Sequence, residues 1–214
     1  MADYPTHGDF GRGLSRLHEL TALKVTDCRR CRLSRSRTQI VNGSGHVGAA
    51  VMFTGEAPGK AEDLMGVGFQ GQAGKIFDAM LAYIGLRRDQ IWLNNAVRCR
   101  PLQGQKNRTP RPDEIQACRP WLLQDVDQIA PRLIITLGRI SYASVTGYDD
   151  FATMRGKLVT VPGLPAVFPL FHPAYLIYRR EMRPVMCHDL TALIRYMDEH
   201  GIEHSPGQPG FCLS

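Results

Sequence analysis

No run of about 18 or more uncharged apolar residues occurs in the 214-residue chain, which excludes a membrane-spanning helix of ordinary length. The first residues, MADYPTHGDFGRG, lack the apolar stretch of a secretory signal. A soluble, cytoplasmic protein with no membrane partner is the expectation. No internal repeat is visible. Neither GEAPGK nor GQAGK has the GxxxxGK[ST] spacing of a phosphate-binding loop, and neither Lys60 nor Lys75 is followed by Ser or Thr. The six cysteines are not read as three disulfides, because a reducing interior leaves clustered cysteines as ligands or reactive groups.

What is present suits a single folded domain. Hydrophobic residues make up 43% of the chain, enough for a real core. The expected core spans about residues 14–197, and HSPGQPGFCLS, from about 203 to 214, reads as a loose tail. Leu14, Leu17, Leu20 and Leu23 have helical spacing ahead of a basic segment. Short apolar runs at 49–55, 91–99, 131–138 and 165–173 read as strands. Amphipathic segments from Lys75, over 113–130, after Gly138 and from Arg183 read as helices. This alternation predicts a mainly parallel sheet with helices on both faces, with ligands beyond the carboxyl ends of its strands. Loops at 55–74, after Asn95 and after Phe171 fall there, and residues 101–112 read as a polar, proline-rich loop. The net charge of +6 favours a polyanionic partner without specifying one.

Cys28 and Cys31 form a CxxC, and Cys99 and Cys118 flank the proline-rich loop. Four thiolates suit zinc or an iron–sulfur cluster, and spacing alone leaves both open. Arg29, Arg30, Arg32, Arg35 and Arg37 surround the CxxC. They would offset the charge of a thiolate-ligated centre, or simply form a solvated basic face. Cys187 reads as a small buried residue of the last helix, and Cys212 falls in the tail.

Taken together, GEAPGKAED (55–63), GFQGQAG (68–74), NAVRCRP (95–101), NRTPRPDEIQAC (107–118) and FHPAYL (171–176) resemble family-4 uracil-DNA glycosylases. The resemblance implies a three-layer α/β/α sandwich with a mainly parallel central sheet and a 4Fe-4S cluster on Cys28, Cys31, Cys99 and Cys118. It also implies a monomeric, nucleoid-associated repair enzyme of prokaryotic type. Such an enzyme excises uracil from single- or double-stranded DNA, leaves an abasic site, and does not use the cluster as a reagent.

A glycosylase must accept a base rotated out of the stack, read its edge and stabilise the leaving anion. Phe69, between glycines, is placed to stack on the base, though an aromatic there could equally fill the core. The Asn95 amide offers the donor and acceptor that match the O4 and N3–H edge of uracil and mismatch cytosine, while strand alternation turns Asn94 away. His172 can donate to O2 as negative charge develops, assisted by backbone N–H groups around Glu56 and Ala57 in the tight loop that Gly55 and Pro58 shape. By resemblance, Glu56 handles the attacking water and Glu62 stands beside uracil C5, where it would obstruct the methyl of thymine. Leu176 or Ile177 resembles the minor-groove wedge, with Arg179 and Arg180 on the DNA backbone.

The chain departs from the family pattern at Val67-Gly68 and Gln70, in the LQGQK insertion, and at Tyr178 where Arg is usual. GQKNRTP holds no His, so turnover is expected and not covalent trapping. Two alternatives stand beside this reading: a glycosylase preferring hypoxanthine or xanthine, and a non-catalytic iron–sulfur DNA-binding or redox-sensing module.

Overall fold

A computed structural model describes residues 24–208 and 210–213; the expected helix of Leu14 to Leu23 lies outside them. Strands β1 (Ser44–Gly45), β2 (Val51–Gly55) and β3 (Trp92–Asn95) precede a small hairpin, β4 (Leu102–Gln103) and β5 (Lys106–Asn107). Strands β6 (Leu133–Leu137) and β7 (Ala166–Leu170) follow it. The main sheet has the order β1-β3-β2-β6-β7. Only the edge strand β1 is antiparallel; β3, β2, β6 and β7 run parallel. Parallel neighbours need crossovers. Helices α1 (Lys60–Met65) and α2 (Gln72–Tyr83) lie between β2 and β3, and α3 (Pro112–Ile129) leads into β6. Helices α4 (Arg139–Thr146) and α5 (Phe151–Met154) precede β7. Beyond it come α6 (Tyr175–Tyr178), α7 (Arg183–Glu199) and α8 (Gly210–Leu213).

The period of two along each strand explains the layers. Val51, Phe53, Leu93, Leu133, Ile135, Leu137, Phe168 and Leu170 face one cluster with Phe77 and Met80 of α2 and Leu190 and Leu193 of α7. Met52, Trp92, Ile134 and Val167 face the other, with Leu122 of α3 and Tyr142 of α4. Both faces are dry, so the strands read as continuous apolar runs and the sheet is the middle of an α/β/α sandwich.

Three expectations are corrected. Residues 55–74 are not wholly loop. Helix α1 forms there, with the acidic Glu62 and Asp63 in its first turn, where the helix dipole favours them, and α2 opens at Gln72, ahead of Lys75. The 101–112 stretch folds into the β4–β5 hairpin. It is held to α3 by a bidentate pair between Arg108 and the buried Glu114 carboxylate, at 2.6 and 2.7 Å. The tail is not loose either. Ser205 and Gln208 donate N–H bonds to the carbonyls of Gly85 and Ala82, Phe211 is buried, and Cys212 forms a disulfide with Cys187 of α7. A polar, Gly/Pro-rich composition hid one aromatic anchor and one covalent link.

Candidate active site

Parallel pairing sets Gly55, at the end of β2, beside Asn95, at the end of β3. Alternation sends the two asparagines to opposite faces. The Asn94 amide donates to the buried Asp125 carboxylate at 2.8 Å, whereas Asn95 lines a cavity. The exit of β3 is fixed by the Arg98–Asp125 pair at 2.7 Å, both side chains almost fully buried. Breaking such a pair leaves an uncompensated buried charge, so it holds the strand end firmly. Gly55 has no room for a side chain. A β-carbon there would stand 2.3 Å from Asn95 Oδ1 and 2.8 Å from Phe69 Cζ.

That cavity, of 340 Å³, lies beyond the strand ends, where an open α/β sheet binds ligands. Its walls include Glu62, Phe69, Asn95, Asn107, His172 and Ile177. The Phe69 ring is tilted against Phe77 at a centroid distance of 4.7 Å and stacked alongside the His172 ring at 5.6 Å. The residue is held in the left-handed region, at φ 56°. Ala174 donates its N–H to His172 Nδ1 at 3.1 Å. Nδ1 is therefore an acceptor, and the neutral ring carries its proton on Nε2. Burial lowers the His172 pKa from 6.5 to about 4, against the smaller opposing effect of the Glu62 charge. A neutral imidazole with a fixed Nε2–H donor is the result at neutral pH. Glu56 shifts the other way, its carboxyl raised by burial and partly restrained by the Arg139 cation.

The sequence-predicted residues thus divide. Ala57, Glu62, Phe69, Asn95 and His172 share the cavity wall, and Gly55 makes their approach possible. Glu56 and the buried Pro58 belong to the same loop, but their side chains are not among the lining. Of the two wedge candidates, Leu176 is only 3% exposed and packs in the core cluster. Ile177 reaches the cavity wall, and Tyr178 is 83% exposed. Arg179 pairs with Glu181, while Arg180 lines a neighbouring cleft with Lys75 and Arg183. Sequence reasoning missed Asn107, brought to the wall by the hairpin, and Arg139, whose effect on Glu56 crosses from the start of α4 to the loop after β2. Neither has a local signal.

The four thiols form a second centre. Cys28, Cys31, Cys99 and Cys118 line one small cavity with Val25, Leu33, Val97 and Trp121, and none is in a disulfide. Arg37 Nη1 donates to Cys99 Sγ at 3.4 Å and the Arg98 N–H to Cys118 Sγ at 3.3 Å. Burial pushes the Cys31, Cys99 and Cys118 thiols up, that of Cys118 to about 12. Such thiols stay protonated unless a metal displaces the proton. Among the described residues, no group of three or more His, Cys, Asp or Glu forms a site for one metal ion.

The mainly parallel sheet of this α/β/α sandwich carries a compact cavity at its carboxyl edge, walled by an aromatic ring, an amide and a neutral imidazole, the stacking surface and polar groups that a small planar polar ligand would need. The family model described as the uracil DNA glycosylase superfamily matches residues 43–195. The chain is 41% identical over 198 residues to the type-4 uracil-DNA glycosylase of Pyrobaculum aerophilum, covering 86% of this chain and 97% of that protein. It is 39% identical over 179 residues to the type-4 enzyme of Sulfurisphaera tokodaii, covering 79% and 80%. To that of Thermotoga maritima it is 34% identical over 189 residues, covering 86% and 97%. The chain belongs to the uracil DNA glycosylase superfamily, in its type-4 family.

Proposed function

We propose that the protein excises uracil from DNA as a monofunctional, monomeric glycosylase, acting on a base flipped from the stack into the 340 Å³ cavity. One observation carries this reading: Phe69, Asn95 and His172, which offer stacking, edge recognition and a fixed Nε2–H donor, meet at one wall. The base stacks on Phe69 and pairs its O4 and N3–H with Asn95. Glu62 stands by C5. The C1′–N1 bond breaks with its electron pair passing to the base, where the charge gathers on N1 and O2 and meets the His172 donor. A neutral histidine suits this step, since a hydrogen bond stabilises the anion without requiring a second proton transfer. The sugar becomes oxocarbenium-like. Glu56 offsets its positive charge, and water adds to C1′ as its proton passes to the carboxylate.

The raised Glu56 pKa moves the carboxylate toward the range useful to a general base. DNA is held at its phosphates by Arg179, Arg180 and the 29–37 arginines. Ile177, at the cavity rim, and the exposed Tyr178 replace Leu176 as the side chains that enter the gap left by the base.

The four cysteine thiolates would hold a 4Fe-4S cluster. Each iron of such a cluster needs one protein sulfur, so it requires no single-ion site. Two N–H donors already aimed at sulfur support the fit. When bound, the cluster would cross-link the 28–31 loop to the segment after β3 and to α3, leaving base chemistry to the cavity residues. Excision measured on single-stranded and duplex oligonucleotides carrying uracil, hypoxanthine or xanthine tests the reading. Release of uracil in preference supports it; preferred release of either purine, or binding with no release, sinks it.

A further inference from the structure

Phe69 is a poor candidate for its own backbone. A non-glycine residue at positive φ is strained, so something around Phe69 must hold the conformation. Two charged side chains from different elements do so. On one side the Glu62 carboxylate of α1 accepts the N–H of Gln70 at 2.9 Å and of Gly71 at 3.4 Å. On the other, the Arg88 guanidinium, from the single turn of Arg88–Gln90 before β3, donates to the carbonyls of Gly68 at 3.0 Å and Phe69 at 2.6 Å.

Arg88 is itself aimed. Asp78 of α2 accepts its Nε–H at 2.6 Å, and its guanidinium lies 5.5 Å from the centre of the Phe77 ring, the ring that supports Phe69 from beneath. Gly74 closes the arrangement, since a β-carbon there would stand 2.0 Å from the Phe69 carbonyl oxygen. Four consecutive backbone residues, 68–71, are thus gripped from both sides.

We infer that Arg88 is a positioning residue for the base platform: with Glu62 it clamps the 68–71 backbone and sets the plane on which the flipped base stacks. It rests on the uracil-excision reading for its consequence, and on geometry alone for the clamp. Charge suits the task because a guanidinium presents several donors in a fixed plane and satisfies two adjacent carbonyls at once. Lysine, with a point charge, cannot reproduce that fork.

The test compares Arg88→Ala and Arg88→Lys with the native chain in four measurements: hydrogen exchange of the 64–76 segment, single-turnover excision, inhibition by free uracil, and duplex affinity against salt. The clamp predicts faster exchange across 68–71 in Arg88→Ala and a loss of excision rate approaching 10²-fold, the scale of an ångström-sized misplacement. Weaker inhibition by free uracil should accompany it, with unchanged duplex affinity and salt slope, and Arg88→Lys should fall between. Faster exchange with native excision and native uracil inhibition would reduce Arg88 to a structural tie and overturn the role. A flatter salt slope with weaker duplex binding would make it a DNA contact and overturn it equally. Should the native chain release no uracil, the functional reading fails, while exchange at 68–71 still decides whether the clamp exists.

Discussion

The opposed shifts of His172 and Glu56 predict an unusual acid limb. With its pKa lowered from 6.5 to about 4, His172 is about 90% neutral at pH 5, where an ordinary histidine would be about 3% neutral. Its folded pKa is depressed, so the neutral donor is lost only as pH falls toward 4. Glu56 must be ionised to take a proton, and burial raises its pKa above the ordinary 4.5. The excision rate should therefore be level from pH 8 down to the Glu56 titration and fall tenfold per unit below it, with no contribution from His172 near 6.5. Glu56→Gln should react roughly 10²–10³-fold more slowly and show no limb above pH 4.5. Arg139→Ala removes the cation that holds the Glu56 pKa down, so its limb should move to higher pH. Single-turnover rates from pH 4.5 to 8, with folding checked by circular dichroism, measure all three. A native limb centred at 6.5 that persists in Glu56→Gln and vanishes in His172→Gln would refute the assignment.

Asn95→Asp should weaken uracil release by about 10²-fold or more, since a carboxylate cannot donate to O4; unchanged release by Asn95→Ala would remove Asn95 from the site. Protein purified without oxygen should be brown and carry iron and sulfide in equal amounts, and Cys99→Ala should lose both; one zinc per chain with no sulfide would contradict the cluster. The Cys187–Cys212 link spans 25 residues, which chain entropy values at about 3.5 kcal/mol. Cys212→Ser should accordingly melt roughly 10 °C lower while excising at the native rate at 25 °C, and an unchanged melting temperature would mean the tail is not held by this bond.

The layers of the fold were legible because short apolar runs alternate with amphipathic segments along the chain, a pattern that calls for a parallel sheet covered on both faces. Asn95 was separable from Asn94 because strand alternation turns them to opposite faces, and Phe69 and His172 stood in short motifs beyond strand ends. The clamp was not legible. Arg88 meets residues 68 and 69 only because α2 folds back between them, and nothing in RRDQ marks which arginine turns inward. The sequence left the wedge open between Leu176 and Ile177 because YLIY carries two adjacent aliphatics, and only the packing of α6 shows that Leu176 is buried while Ile177 lines the cavity. The tail was misread because composition describes the average of a segment, whereas Phe211 and Cys212 act singly.

Excision requires the cavity to perform chemistry and not merely to hold DNA. Single-turnover uracil release by His172→Ala, alongside its duplex affinity, tests this most directly. Loss of one anion-stabilising donor should slow release by on the order of 10²–10³-fold with affinity and salt slope unchanged, because phosphate contacts set duplex binding. Abolished DNA binding with a normal rate in the fraction that still binds would contradict it.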